Sequence, residues 1–294
     1  MTFRSAVKEI EGLKEESIGG IAKKVAKGAL MGARGNSGVI LSQIFRGISK
    51  GLEDKDEVDA REFANALLEG SKSAYKAVMR PTEGTILTII RAAGESAVKS
   101  EAEDVTSLLE EVCEHSEVVL NKTPDMLPVL KKAKVVDAGG QGLLIILQGM
   151  LEVLDKDLEV EIGGENKVSD PNTKIEQYEQ DIEFGYCTEF FVMAENVDVD
   201  KFKGQLESLG DSMIVVAADG LIKVHIHTND PGDILSKAIK LGPLSKIKID
   251  NMREQHKHII DMNSEENKVE KEESELKKIW IYICSIRRRH NRNI

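Results

Sequence analysis

The sequence predicts an α + α/β protein. An all-α bundle or barrel of helices at residues 1–154 is followed by a βαββαβ, ferredoxin-like α+β domain at residues 184–260. The first part repeats its apolar residues at helical spacing, whereas the pattern becomes strand-like after Phe184. A polar, acidic stretch at residues 155–183 is typical of a linker. We expect the charged tail at residues 261–294 to be disordered or truncated.

Periodicity and turn residues divide the first domain into helices. Val39, Leu41, Ile44, Phe45 and Ile48 recur at helical spacing. Aromatic residues make up 4% of the chain, which a helical bundle rich in Ala, Leu and Glu allows. Further helices are predicted at residues 60–78, 85–99, 105–120, 127–133 and 140–154, with breaks at 51–56, 81–84, 122–124 and 136–140.

The second domain alternates strands and helices in a recognisable order. The predicted elements are a strand at 185–194, a helix at 198–209, strands at 212–218 and 221–228, a helix at 231–241 and a strand at 245–251. Asp219-Gly220 is a preferred two-residue hairpin turn. In a βαββαβ unit, the first and third strands are neighbours at the centre of the sheet.

Length, charge and cysteine usage narrow the class of protein. The 294 residues suffice for two domains, and a formal net charge of −11 disfavours general nucleic-acid binding. Three cysteines do not make a disulfide framework. We find neither a signal peptide nor an apolar run long enough to span a bilayer, so we expect a cytoplasmic protein without an integral membrane segment.

A glycine-rich stretch, Gly28–Gly38, runs directly into a predicted helix. Three of its glycines would let the backbone approach a ligand closely: Gly32, Gly35 and Gly38. The free N–H groups and the dipole at a helix start suit phosphate, and Asn36 and Ser37 could cap the helix or touch the ligand. A helix–helix turn with a Ser cap remains an alternative, because the spacing matches neither a P-loop nor GxGxxG.

The strand pattern of the second domain also predicts a metal site. His225 and His227 share one face of the third strand, and Cys187 lies on the neighbouring first strand. Val224 would then face the helices, leaving the Cys/His set on the open face of the sheet. Sulfur and two imidazoles suit zinc, with Glu189 or water as the fourth ligand. The alternative is a pair of histidines beside an ordinary thiol.

Five further motifs occur in a fixed order along the chain. They are Arg80-Pro-Thr-Glu-Gly-Thr-Ile-Leu-Thr88, Val135-Val-Asp-Ala-Gly-Gly-Gln-Gly142, Phe184-Gly-Tyr-Cys-Thr-Glu189, Val224-His-Ile-His-Thr-Asn-Asp-Pro-Gly232 and Ile249-Asp-Asn-Met-Arg-Glu-Gln-His256. With the glycine-rich stretch, they make residues 4 to 260 resemble the catalytic subunit of bacterial fatty acid kinase. The N-terminal domain of that family is similar to the nucleotide-binding subunit of dihydroxyacetone kinase.

This resemblance implies phosphoryl transfer. The family binds ATP and Mg²⁺ in its helical domain and converts a fatty acid, carried by a separate fatty-acid-binding protein, to an acyl phosphate. Carried onto this sequence, the phosphates are held by Gly35, Asn36, Ser37 and Gly38, and Thr85 lies beside the nucleotide. Asp137 and Gly139 fall near the adenosine end. The resemblance also favours a structural or regulatory Zn²⁺ at Cys187, His225 and His227. We further expect a homodimer.

One family motif has no counterpart in this sequence. The family carries Asp-Gly-Asp-Thr-Gly-Thr-Asn, whose carboxylates hold magnesium, ahead of the helix that begins at Arg4, whereas this chain begins Met1-Thr-Phe. Because phosphoryl transfer depends on metal, we expect a kinase fragment with no catalytic residue of its own and impaired activity. A dihydroxyacetone kinase-type phosphotransferase and a non-catalytic nucleotide-binding and dimerisation remnant remain alternatives.

Overall fold

The structure is a computed structural model that describes residues 1–13, 17–156, 183–195, 197–218 and 220–254. The first domain is all-helical, as predicted. Its helices are α1 (Thr2–Ile10), α2 (Ile18–Gly32), α3 (Gly35–Gly51), α4 (Ala60–Ala77), α5 (Ile86–Lys99), α6 (Val105–Leu120), α7 (Thr123–Met126), α8 (Pro128–Ala133) and α9 (Ala138–Asp155). Most of the predicted linker, the tail at 261–294 and Asp219 of the predicted hairpin turn lie outside the described residues.

Most helix boundaries follow the sequence signals closely. Helix α6 has the predicted bounds, and the Asp104 carboxylate caps it by accepting a hydrogen bond from the Ser107 amide at 2.9 Å. The break predicted at 122–124 is wrong, because the short helix α7 begins at Thr123 with Pro124 in its first turn. The glycine-rich stretch is also more helical than expected, since α2 continues to Gly32.

Helices α1 to α6 pack side by side in chain order, and α9 lies against α5 and α6. The buried apolar residues of α2 to α6 and α9 belong to one shared core. Its fully buried side chains include Ile44, Leu67, Leu87, Ile89, Ile90, Leu108 and Leu109. In the described part of the chain, no helix combines the length and the hydrophobicity that crossing a bilayer requires. The cytoplasmic location stays a prediction.

Helices α3 and α4 cross so closely that Gly47 has no room for a side chain. A β-carbon there would lie 2.6 Å from the Gly70 Cα and press on the Glu69 carbonyl. Gly47→Ala should therefore lower the free energy of unfolding, measured in urea, by about 1–3 kcal/mol. Gly149→Ala is the matched control, because Gly149 of α9 is exposed and its β-carbon would meet no atom within 4 Å. Equal stability of both variants would contradict this packing.

The second domain is a four-stranded antiparallel sheet with two helices. Its elements are β1 (Tyr186–Met193), α10 (Val199–Leu206), a 3₁₀ turn (Glu207–Leu209), β2 (Gly210–Ala218), β3 (Leu221–Thr228), α11 (Pro231–Ala238) and β4 (Leu244–Asn251). The strand order is β2-β3-β1-β4. Strands β1 and β3 are therefore central neighbours, which confirms the ferredoxin-like prediction.

One sheet face packs on the helices of its own domain. Val224 and Ile226 of β3 lie in a buried cluster with Phe202 of α10 and Ile234 of α11. This orientation was predicted from the alternation of side chains along a strand, and it is confirmed.

The other sheet face is not open, which corrects the expectation from sequence. Phe191, Ile214 and Val216 belong to the core of the helical domain. Val78 forms a β-bridge with Ile214, and the Arg46 guanidinium donates a hydrogen bond to a carbonyl of β2. This face carries apolar residues of its own, so packing it on α3 and α4 removes more apolar area from water. The sheet therefore lies beside the start of α3.

Candidate functional site

The first turns of helices α3, α5 and α9 converge. A β-carbon built on Gly139 of α9 would lie 3.6 Å from the Ser37 Oγ of α3 and 3.4 Å from the Ile86 Cβ of α5. Ser37, Gly139 and Thr85, the residue before Ile86, were singled out from three separate motifs. The fold thus gathers them at one place, where the N-termini of three helices meet.

Asp137 ties two of these helix starts together. Its carboxylate accepts a hydrogen bond from the Gly140 amide at 2.7 Å and also from the backbone of Ile86 and Gly139. Burial raises the pKa of Asp137, while the hydrogen bonds oppose that rise. The Asp137 amide donates to the Thr123 hydroxyl at 3.1 Å. Thr123 was not predicted from the sequence, because it lies where a break was expected.

Thr85 is held by its own turn. Its hydroxyl donates to the Thr82 carbonyl at 2.8 Å and accepts from the Leu87 amide at 3.3 Å, which caps α5. Glu83 anchors the same loop, because its carboxylate accepts hydrogen bonds from the Tyr75 hydroxyl at 2.9 Å and the Arg91 guanidinium at 2.7 Å. These contacts fix the loop before α5 against α4 and α5.

The turn between α2 and α3 is only Ala33-Arg34, and the three glycines serve different purposes. Gly35 has a φ of 60°, and a β-carbon there would meet no atom within 4 Å. A β-carbon on Gly38 would instead lie 2.7 Å from the Thr2 Oγ1, and one on Gly32 would collide with Ser5. Packing against α1 therefore accounts for Gly32 and Gly38, whereas Gly35 leaves space beside the backbone, and the ligand-binding role of these glycines stays a prediction.

The polar side chains of this turn are not used as caps. The first turn of α3 has no side-chain cap, which excludes the predicted Ser cap in this conformation. The Asn36 Oδ1 is buried and accepts no hydrogen bond from the described residues. A buried acceptor without a donor needs a partner, which a ligand or an ordered water can supply.

The sheet brings the predicted metal ligands together. Cys187 pairs directly with His227 across β1 and β3. The Cys187 Sγ lies 3.9 Å from the His225 Nδ1, and one ligand atom from each of the three residues falls within 4.8 Å of the others. The arrangement follows from strand geometry alone, since alternate residues share a face and opposed residues lie side by side.

Two carboxylates orient the two imidazoles. The His225 Nδ1 lies 2.8 Å from the Glu189 Oε1, and the His227 Nδ1 lies 3.3 Å from the Asp211 Oδ1. The His225 Nε2 is buried without a partner among the described residues, which fits a metal ligand. Glu189 therefore acts here as a partner of His225 and not as the fourth ligand that the sequence suggested.

The Cys187 thiol needs a cation to ionise. Burial and the nearby carboxylates of Glu189 and Asp250 raise the pKa of Cys187 to about 11. A thiol with this pKa stays protonated at neutral pH and is a poor nucleophile. A bound divalent metal removes the proton from its sulfur ligand, so this donor set suits metal binding better than thiol catalysis.

Glu189 also connects the sheet to the turn before α3. Its Oε1 accepts a hydrogen bond from the Gly35 amide at 2.6 Å, and its Oε2 lies 3.8 Å from the Lys223 Nζ. Burial raises the pKa of Glu189, but the hydrogen bond from His225, the charge of Lys223 and the Gly35 amide outweigh burial and hold it at about 2. The sequence offered Glu189 only as a possible fourth zinc ligand and did not indicate these contacts.

Two family models match successive parts of the chain. The DAK2 domain matches residues 1–152, and the FakA-like middle domain of fatty acid kinase matches residues 183–259. These matches coincide with the helical domain and the sheet domain of the structure.

Curated bacterial relatives extend the similarity across both domains. Protein YloV of Bacillus subtilis is 45% identical over 277 residues, covering 90% of this chain and 50% of that protein. An uncharacterized protein of Staphylococcus epidermidis is 39% identical over 297 residues, covering 97% and 54%. The chain thus spans about half the length of the curated relatives it matches. It belongs to the DAK2-domain family, among the members that continue into a FakA-like middle domain of the fatty acid kinase type.

Proposed function

We propose that this chain forms the ATP-binding part of a kinase that phosphorylates the carboxylate of a fatty acid to give an acyl phosphate. The observation that carries the proposal is the convergence of the first turns of α3, α5 and α9 at Ser37, Ile86 and Gly139. The positive dipole ends of helix N-termini suit the phosphates of a nucleotide, and the first turn of α3, which has no side-chain cap, also offers N–H donors to them. The match to a fatty acid kinase-like middle domain supports the substrate class.

Each residue of the proposed nucleotide site has a role that its environment supports. The Gly35–Gly38 turn would hold the phosphates, because the backbone at Gly35 faces free space. The Ser37 hydroxyl and the unpartnered Asn36 Oδ1 would contact the nucleotide or its water. Thr85 would position the start of α5 beside it, and Asp137 with Gly139 would lie toward the adenosine end. The bound nucleotide supplies the phosphoryl group, and these residues bind and orient it.

Among the described residues, no cluster of three or more acidic, histidine or cysteine side chains with metal-binding geometry lies at this turn. The cluster that has this geometry, Cys187, His225 and His227, lies on the sheet. Magnesium prefers carboxylate and phosphate oxygens over sulfur and imidazole. We therefore propose that this chain binds ATP largely without magnesium and transfers the phosphoryl group poorly.

The proposal is tested by titrating ATP into the 294-residue chain by calorimetry, with and without Mg²⁺. We expect measurable binding under both conditions. Gly139→Val should weaken ATP binding at least tenfold, because its side chain would fill the space between Ser37 and Ile86. Gly142→Val is the matched control on the same helix, since a β-carbon there meets no atom within 4 Å. No binding by the unaltered chain, or equal loss in both variants, would refute the proposed site.

We also propose that Cys187, His225 and His227 hold a structural or regulatory zinc ion, with water as the fourth ligand. The orphaned His225 Nε2 and the two orienting carboxylates support this assignment. The zinc would organise the sheet and take no part in phosphoryl transfer, which we place at the first turn of α3, Gly35–Gly38.

The DAK2 match also supports a second candidate, a dihydroxyacetone kinase-type phosphotransferase. The two candidates differ in the acceptor of the phosphoryl group. Incubation with ATP and either a protein-bound fatty acid or dihydroxyacetone would distinguish them by which acceptor becomes phosphorylated. The fatty-acid carrier and the homodimer stay predictions.

A further inference from the structure

Lys223 is a buried lysine whose charge is only partly compensated. It lies on β3 with 3% of its surface exposed, facing the helical domain. Its Nζ lies 3.8 Å from the Glu189 Oε2 and 4.6 Å from the centre of the Phe191 ring. At this distance the contact with Glu189 is an ion pair and is longer than a hydrogen bond. An ammonium group has three N–H donors, and those that the protein does not use can bind the oxygen atoms of a ligand.

Two further cations lie near Lys223. The Lys246 Nζ lies 5.6 Å from the centre of the Phe191 ring, which Lys223 also contacts, and Arg34 immediately precedes Gly35. Burial lowers the pKa of Lys223, the charge of Glu189 raises it, and the charges of Arg34 and Lys246 lower it further. Glu189 is shared among Lys223, His225 and the Gly35 amide. This corner of the domain junction therefore holds more positive than negative charge.

The Glu189 carboxylate occupies the position of an anion at a helix start. It accepts the Gly35 N–H at the first residue of α3, where the helix dipole favours negative charge. A phosphate oxygen and a carboxylate oxygen accept the same kind of hydrogen bond from such an amide. The Glu189 carboxylate contacts both the Gly35 N–H and the Lys223 ammonium group. A phosphate that replaced this carboxylate at the Gly35 N–H would therefore lie close to Lys223.

We propose that Lys223 is a phosphate-contacting residue of the nucleotide site, supplied by the sheet domain to a site otherwise built from helices. The inference rests on the proposed nucleotide site at the α3 turn. Lys223 binds the β- and γ-phosphates, whose charge distinguishes ATP from AMP, and it makes no contact with the adenosine. Such a cation stabilises negative charge on the phosphates, which is the main electrostatic demand of phosphoryl transfer.

The test compares ATP and AMP binding by calorimetry in the unaltered chain and in lysine variants. Lys223→Met should weaken ATP binding at least tenfold and AMP binding less than twofold, so the preference for ATP is lost. Lys248→Met is the matched control, because Lys248 faces Glu189 across β1 and β4 but is neutralised by Asp250. It should change neither affinity more than twofold.

Two further variants keep the inference falsifiable. Lys223→Arg retains the charge and should keep ATP affinity within about fivefold of the unaltered chain. Lys246→Met changes an exposed residue, so it should fold even if Lys223→Met does not, and it should weaken ATP binding two- to fivefold. Unchanged ATP affinity in a folded Lys223→Met variant, or loss of ATP affinity in Lys223→Arg as large as in Lys223→Met, would overturn the inference while leaving the nucleotide site intact. An unaltered chain that binds no ATP would overturn both.

Discussion

Replacing Cys187 with Ser is expected to abolish zinc binding by this chain. The unaltered protein should carry about one zinc ion per chain, held by one sulfur and two imidazole nitrogens. Serine removes the soft thiolate and leaves only His225 and His227 as protein ligands, which is too few for a closed structural site. Metal analysis of the purified chain should therefore fall from near stoichiometric zinc to a trace.

The same substitution should lower the thermal stability of the sheet domain. Zinc that binds only the folded state stabilises it, so removing the ion with a chelator should reduce the melting temperature of the unaltered chain. The Cys187→Ser variant should melt at that lower temperature with or without chelator. A response to chelator in the variant as large as in the unaltered chain would show that Cys187 does not hold the ion.

Cys113 provides the matched control for this experiment. It is buried in α6 within the helical core, in the other domain from His225 and His227. Cys113→Ser places a hydroxyl in an apolar environment and should cost stability while zinc content stays unchanged. Loss of zinc from both cysteine variants would indicate general unfolding and would contradict a site specific to Cys187.

The cysteine–histidine cluster could be predicted because strand geometry determines it. Alternation along β3 places His225 and His227 on one face, and the βαββαβ order makes β1 the neighbour of β3. Helix α6 was likewise predicted with its observed bounds, because Asp104 and the apolar periodicity mark it locally. Patterns of this kind depend on residues close in sequence or on a standard topology.

The contacts of Glu189 could not be predicted in the same way. Its partner Gly35 lies 154 residues away, in another domain, and no periodicity shows which sheet face packs on which helices. This face was expected to be open, although Phe191 of β1 points into the helical core. The sequence also could not show why each of Gly32, Gly35 and Gly38 is a glycine. The answer depends on whether the position packs against α1 or faces open space.

Replacing Glu189 with Gln is expected to destabilise the folded chain by about 3–5 kcal/mol, because it leaves the Lys223 charge buried without a counter-ion. The change keeps the size of the side chain and removes only its charge. The amide also makes a weaker acceptor for the Gly35 N–H and the His225 Nδ1. Urea unfolding in excess chelator should show this loss, because the zinc-free chain carries no stabilisation from the metal.

Two comparisons distinguish the loss of stability caused by the unpaired Lys223 charge from the loss caused by removing the carboxylate partner of a histidine. Asp211 also contacts a histidine, but half of its side chain is exposed, so Asp211→Asn should cost less than about 1 kcal/mol. The double variant Glu189→Gln with Lys223→Met removes both buried charges and should regain most of the lost stability. If Glu189→Gln lowered the free energy of unfolding no more than Asp211→Asn does, the ion pair between Glu189 and Lys223 would contribute little to the stability of the domain junction. A large loss that the second substitution restores would identify Glu189 as the counter-ion that lets Lys223 lie beside the start of α3.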